Sequence, residues 1–178
     1  MRPCNERERQ IVKDDILFWH EKRWRVHVLT VMPNHVHLLA TLMEQGPGVW
    51  FALPDILHSV KRGSALKMNR LRGSQGPLWQ TESFDRIVRD EREFNQKALY
   101  ILSNAVKAGL AADAWRWDGF WCEGMPSSRA GSKPAQTLPP QPSVRGIPAD
   151  VLIVKRRRKL PHWQLGGSTY FVTFRLRE

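Results

Sequence analysis

The chain has 178 residues, of which 42% are hydrophobic, and a formal net charge of +11. This length and composition allow one domain with a buried core, and no apolar stretch is long enough to span a membrane. The two cysteines are too few for a disulfide framework or a zinc cluster and fit a reducing cytoplasm. The charged N-terminus does not resemble a secretory signal. The strong positive charge indicates a polyanionic partner.

The predicted elements alternate between helices and strands along the chain. They are a helix over about 5–22, strands near 24–32 and 35–42, a helix over 53–72, a strand near 83–89, a helix over 90–111 and a strand over 168–176. Both faces of the last strand carry bulky or β-branched residues, which predicts an interior position in a sheet. Helices packed on one face of a central antiparallel sheet give an α+β domain.

Two histidines at the start of the second predicted strand form the most informative motif. Pro33 and Asn34 predict a turn, and His35, Val36 and His37 follow it. Because residues two apart on a strand point to the same face, both imidazoles should project side by side. Such a pair is half of a divalent-metal site. In isolation, the pair is more often two ordinary histidines on a half-exposed strand.

The predicted helix over 90–111 carries Tyr100 and Asn104 on one face, about one turn apart. Acidic residues in its first turn, and Gly109 after Lys107, are typical of helix ends. Alone, Tyr100 would be a buried tyrosine with a hydrogen-bonded hydroxyl, and Asn104 an ordinary polar helix residue. Only the histidine pair gives them a candidate role.

Together, the two motifs resemble those of the single-tyrosine HUH transposases, in particular the REP-associated tyrosine transposases of bacteria. The resemblance covers most of the chain outside 123–150. The further stretches that are similar to the family are residues 78–90, 100–110, 160–164 and 169–175. The family usually has Asn-Pro-Val where this chain has Asn104-Ala105-Val106. Alanine favours a helix more than proline does, so this difference should leave Asn104 available as a ligand.

The resemblance implies a ferredoxin-like HUH domain in which the Tyr100 helix crosses the sheet near the histidines. It implies that His35, His37 and Asn104 hold one Mg²⁺ or Mn²⁺ and that Tyr100 attacks a DNA phosphate. The expected products are a 5′-phosphotyrosine and a free 3′-OH, from which strands can be rejoined. The implied substrate is single-stranded DNA beside a hairpin of the repetitive extragenic palindrome type. The implied activity is that of a metal-dependent tyrosine transposase and endonuclease.

The order of segments differs from the family, because the part similar to 160–175 opens the family's proteins and closes this chain. We therefore predict a circular permutation, natural or engineered. Residues 1–122 would form the main part of the domain, 123–150 a flexible linker rich in Pro, Ser and Gly, and 151–178 a basic segment and the strand that completes the same domain. The linker could return that strand to its own sheet or donate it to a second copy. A monomer or a strand-swapped dimer is expected.

DNA binding is assigned to two basic regions and one neighbouring segment. The residues are Lys155, Arg156, Arg157, Arg158 and Lys159, then His162, Trp163 and Gln164, and finally Lys61 and Arg62 on the 53–72 helix. A basic run is often only a solvated tail, but beside the family-like segment we interpret it as a phosphate contact. Trp79 or Trp163 could stack on an unpaired base.

Three alternatives stay open. The chain could be a domesticated or catalytically inactive hairpin-binding protein, or a replication-initiator or relaxase-type HUH nickase. It could also be a plain metallohydrolase that activates water with Asp85 or Glu82. The helix with Tyr100 and Asn104 and the stretch from Trp79 to Arg89 favour the transposase over the nickase. We expect the protein in the bacterial cytoplasm, associated with the nucleoid.

Overall fold

The structure is a computed structural model that describes residues 2–125 and 167–177. The helices of the described residues are α1 (Glu6–Phe18), α2 (Leu53–Arg72) and α3 (Glu91–Lys107), with a short 3-10 helix (Ala114–Arg116). The strands are β1 (Trp24–Val31), β2 (His35–Leu42), β3 (Glu44–Gly46), β4 (Val49–Trp50), β5 (Phe84–Ile87), β6 (Phe120–Cys122) and β7 (Thr169–Arg175). The predicted α+β class is confirmed.

Five strands form the central antiparallel sheet, in the order β5-β7-β2-β1-β6. The last strand of the chain, β7, lies between β2 and β5, which confirms its predicted interior position. Since β2 and β5 are both antiparallel to β7, they run parallel to each other and are connected through α2. This split β-α-β arrangement is consistent with a ferredoxin-like fold.

Helices cover both faces of the sheet, so the expectation that all of them pack on one face is wrong. Val36 and Leu38 of β2 belong to the apolar core that includes α1 and α2. Leu39 of β2 belongs to the core that includes α3. Because the side chains of a strand alternate between faces, His35 and His37 share the α3 face with Leu39. The sheet is therefore the middle layer of three.

The first helix ends earlier than predicted, at Phe18 instead of near residue 22. Its start is set by a capping box, in which Asn5 and Glu8 satisfy each other's backbone N–H groups. Its end coincides with a tight turn in which Glu21 takes a positive φ of 57°, and Trp24 donates from Nε1 to the Ile16 carbonyl at 3.1 Å. The turn reverses the chain from α1 into β1.

The two ends of the described chain meet at the turn between β1 and β2. The backbone N–H of Cys4 donates to the Pro33 carbonyl at 2.6 Å, and that of Leu176 donates to the Asn34 carbonyl at 2.9 Å. The N-terminal and C-terminal segments are therefore neighbours in space. Among the described residues, no helix is both long enough and apolar enough to cross a membrane.

Candidate functional site

The hairpin between β1 and β2 positions the two histidines. Its turn at Pro33 and Asn34 is closed by a hydrogen bond from the Met32 N–H to the His35 carbonyl at 2.8 Å. The two imidazole rings lie side by side, with their centroids 4.6 Å apart. His37 is buried and His35 is half-buried. The prediction that the turn and the strand bring both imidazoles to one face is confirmed.

Each imidazole is oriented through its Nδ1 atom. The Nδ1 of His35 lies 2.7 Å from the Asn34 side-chain oxygen, and the Nδ1 of His37 lies 2.7 Å from the Thr173 hydroxyl. With Nδ1–H donating to these oxygens, the Nε2 lone pair of each ring is available. Hydrogen bonds of this kind fix the tautomer and orientation of histidines that bind metals. The donor set therefore fits a metal site that would use both Nε2 atoms.

The surroundings keep both imidazoles neutral. Burial, the neighbouring His35 and the Arg175 guanidinium lower the pKa of His37 to about 3. Burial and Arg175 also lower the pKa of His35 from its ordinary value. A neutral imidazole is the form that binds a metal, because the proton of the charged form occupies the ligand lone pair.

Helix α3 brings Tyr100 to the histidines. Its buried residues Ile101, Leu102 and Ala105 pack on the sheet, which leaves Tyr100 beside that stripe. The Tyr100 hydroxyl lies 3.5 Å from Nε2 of His37, with the ring centroids 5.1 Å apart. The side chain is 44% exposed, so the interpretation of Tyr100 as a buried tyrosine is wrong.

Asn104 lies one turn beyond Tyr100 on α3 and is half-buried. Within the described residues, its carboxamide makes no hydrogen bond to either imidazole or to any other group. The structure thus brings Tyr100 into contact with His37, and His37 into contact with His35. Asn104 lies one turn further along the same helix.

An open cleft of about 650 Å³ adjoins His37 and Tyr100. Its other lining residues include Glu82, Phe84, Lys97, Phe171 and Arg175. Sequence reasoning missed Phe84, Lys97, Phe171 and Arg175 as members of the site. Lys97 lies three residues before Tyr100 on the same helix, and this spacing would have predicted that the lysine lies on the same face. The other three residues lie on strands, and predicting their place in the site would have required the register between β5, β7 and β2. No local sequence pattern gives this register.

Two of the residues that were predicted to contact DNA or bases have structural partners. Lys61 donates from Nζ to the carbonyls of Gln80, Thr81 and Glu82, at 3.0, 3.1 and 3.2 Å. A phosphate contact by Lys61 would have to replace one of these bonds. Trp79 is 5% exposed and donates to the Ser64 hydroxyl at 2.9 Å, so the suggestion that it stacks on a base is wrong.

The remaining predicted side chains fall on different surfaces. Arg62 is exposed, and its contact with DNA stays a prediction. Asp85 pairs in register with Val172 and lines a second cleft with Tyr170 on the α2 face. It is therefore on the wrong side of the sheet to activate water at the histidines. Of the two nominated carboxylates, only Glu82 lines the cleft that contains His37.

A separate group of metal-ligating side chains lies at His20, Glu21 and Glu123, whose ligand atoms are within 4.8 Å of one another. Glu123 already forms an ion pair with Arg25, and the group shares no residue with the histidine pair. It gives no support to the predicted Mg²⁺ or Mn²⁺ at His35 and His37.

Several predictions lie outside the described residues. They concern the linker from 126 to 150 and the DNA contacts at Lys155, Arg156, Arg157, Arg158, Lys159, His162, Trp163 and Gln164. Comparison with protein-family models, with curated proteins and with solved structures found no match to this chain.

Proposed function

We propose that this chain is a metal-dependent tyrosine endonuclease and transposase that cleaves and rejoins single-stranded DNA beside hairpins. The observation that carries the proposal is the 3.5 Å contact between the Tyr100 hydroxyl and Nε2 of His37 in an open cleft. A phenol beside one of two adjacent imidazoles is what the resemblance to the HUH transposases implies.

In this proposal, His35, His37 and Asn104 hold one Mg²⁺ or Mn²⁺. The two neutral imidazoles with their Nδ1 atoms already engaged support the assignment, and Asn104 offers a carboxamide oxygen from the same helix as Tyr100. Two nitrogen ligands suit Mn²⁺ better than Mg²⁺. When bound, the cation would polarise the scissile phosphate and offset its developing negative charge.

Tyr100 supplies the nucleophile. Its oxygen would form a bond to phosphorus while the bond from phosphorus to the 3′-oxygen breaks, which leaves a 5′-phosphotyrosine and a free 3′-OH. The proton of the hydroxyl passes to solvent as its oxygen bonds to phosphorus, and the departing 3′-oxygen takes a proton from solvent. Since the phosphotyrosine keeps the energy of the broken bond, a second 3′-OH can attack it and complete strand transfer.

The charge of the cleft and of the chain supports a nucleic-acid substrate. Lys97 and Arg175 line the cleft with Tyr100, and the whole chain carries a net charge of +11. Positive side chains bind DNA mainly through its phosphates, whatever the sequence. The basic residues from 155 to 159 lie outside the described part of the chain, and their contact with a hairpin stays a prediction from the sequence.

The position of β7 supports the circular permutation. If the chain were joined from its end to its beginning, β7, α1 and β1 would form a second split β-α-β unit, with β2 between the two strands. Cys4 and Leu176, near the two present chain ends, bond to adjacent residues of one turn, so these segments lie side by side, as they would if they were continuous in the family's order. The family's own termini would then lie near residues 122 and 151, and the predicted linker over 123–150 would join them.

The test is cleavage of a labelled hairpin oligonucleotide with a single-stranded flank, in Mn²⁺ or Mg²⁺. Tyr100→Phe should abolish cleavage while hairpin binding persists. Tyr170→Phe is the matched control, because Tyr170 is the second of the chain's two tyrosines and lines the other cleft. Persistent cleavage by Tyr100→Phe would remove the nucleophile from the proposal. Hairpin binding by the unaltered protein without cleavage in either metal would favour a domesticated DNA-binding protein.

A further inference from the structure

We infer that Phe84 forms a stacking site for one unpaired nucleobase next to the scissile phosphate. The inference rests on the proposed function and adds a binding site to it. Phe84 has no role in holding the metal or in the attack by Tyr100. Its place in the sheet, its exposure and the charges around it all point to a nucleotide.

The register of the sheet places Phe84 in line with the histidine. Phe84 lies directly opposite Thr173, and Thr173 lies directly opposite His37. Residues that face each other across adjacent strands share one side of the sheet, so all three are on the α3 face. Two strand spacings separate Phe84 from His37, which is about 10 Å. That distance suits the base of a nucleotide close to a phosphate held at His37.

Phe84 is unusually exposed for an aromatic residue in a strand. Its side chain is 59% exposed on the edge strand β5, and the strand is only four residues long. The Phe84 ring meets Phe171 edge to face, with the centroids 6.4 Å apart. The Phe171 ring in turn stacks on His37 at 5.7 Å. Buried Phe171 thus supports one side of Phe84 and leaves the rest of its ring open to the cleft.

The charges around Phe84 favour a nucleotide over an apolar peptide. Lys97 lies 4.7 Å from the Phe171 ring centroid, and Arg175 lies opposite His35 in register. Within the described residues, neither cation forms an ion pair. A nucleotide would satisfy both features at once, because its base stacks on an aromatic ring and its phosphate pairs with a cation.

The test is fluorescence-anisotropy binding of two labelled probes in EDTA, where no metal-dependent cleavage occurs. One probe is a short oligothymidylate, and the other is an abasic chain of the same length. Phe84→Ala should weaken oligothymidylate binding about tenfold, in line with the stacking energy of one base, and should leave binding of the abasic chain unchanged. Phe84→Trp should restore binding of oligothymidylate.

The matched control is Phe18→Ala. Phe18 is 55% exposed, and the Lys22 ammonium lies 3.8 Å from its ring centroid, but Phe18 belongs to α1. This variant should bind both probes like the unaltered protein. Equal binding of oligothymidylate by Phe84→Ala and the unaltered protein would overturn the stacking site alone. An unaltered protein that binds neither probe would overturn the proposed function and the stacking site together.

Discussion

The two faces of the central sheet use their polar residues in different ways. Under α1 and α2, charged groups are buried in pairs, and the fully buried Glu8 bonds to Arg72 at 2.7 Å. Under α3, His37 and the Tyr100 phenol meet at an open cleft, with His35 beside His37. Lys97 and Arg175 also line this cleft. The first face pairs its buried charged groups, whereas the second leaves two cations of its cleft, Lys97 and Arg175, without an ion pair among the described residues. Changes on the two faces should therefore separate stability from activity.

The largest effect is expected at the histidine pair. His35→Ala removes a half-buried imidazole from the α3 face and, with it, one proposed metal ligand. Cleavage of the hairpin oligonucleotide should fall to background at every Mn²⁺ concentration. The midpoint of thermal unfolding should change little, because His35 contributes little to either apolar core. Unchanged activity across a metal titration would exclude His35 from the site.

The opposite face should respond to Glu8→Ala with a loss of stability. The substitution leaves the Arg72 side chain, which is 7% exposed, buried without its partner, and it also removes half of the α1 capping box. Breaking a buried pair in this way lowers the free energy of unfolding by about 3–5 kcal/mol. Urea denaturation measures the change. The double variant with Arg72→Met should recover part of the loss, whereas a cost near zero for Glu8→Ala would show that the pair contributes nothing.

Each of the two apolar cores contains one cysteine, and the stability of the protein at alkaline pH compares the burial of the two thiols. Cys4 lies in the core under α1 and α2, and Cys122 lies in the core under α3. Burial, reinforced by nearby carboxylates, raises the pKa of each thiol to about 11 from an ordinary value of 9.0. The unfolded chain loses these protons first, so the free energy of unfolding should fall as the pH rises from about 9 to about 11.

Cys4→Ala and Cys122→Ala should each remove part of that alkaline loss. The slope of unfolding free energy against pH, from urea titrations of the single variants, gives the share of each thiol. Rapid alkylation of Cys122 by iodoacetamide in the native protein at pH 9 would contradict the account, because it would show that the α3 core is open to water.

A smaller effect is expected at Lys61, which connects α2 to the loop that lines the cleft. Lys61→Met removes three hydrogen bonds to the carbonyls of 80–82 and should lower stability by about 1–3 kcal/mol. Hydrogen exchange of the loop amides should become faster. Arg62→Met, at the exposed next position, is the control and should leave the loop unchanged. If the two variants instead reduce DNA binding equally without loop exchange, Lys61 acts as a phosphate contact.

Long periodic segments could be predicted from the sequence, because one face of each is buried. The second helix was placed with its observed ends, 53–72, and the pair His35 and His37 was placed on one face. The strands β3, β4 and β6 were missed, since two or three residues do not establish a period. Helix α1 ends at Phe18 because the chain turns at Glu21, and the spacing of apolar residues does not predict such a turn.

The candidate site could be predicted only where its residues are local in sequence. His35 with His37, and Tyr100 with Asn104, are pairs whose spacing indicates a shared face. Phe84 and Arg175 join them through pairing with β7, a strand that comes from the far end of the chain. The burial of Trp79 and the backbone partners of Lys61 were missed, because composition does not reveal which polar atoms find partners inside the fold.

Peptide mapping of the trapped covalent complex tests the central claim most directly. The protein would be incubated with Mn²⁺ and a hairpin oligonucleotide whose leaving strand diffuses away, then digested with protease and nuclease and analysed by mass spectrometry. The account predicts a nucleotide attached to the peptide that contains Tyr100, and no such peptide from Tyr100→Phe. A nucleotide on Tyr170, or strand cleavage without any covalent peptide, would contradict it.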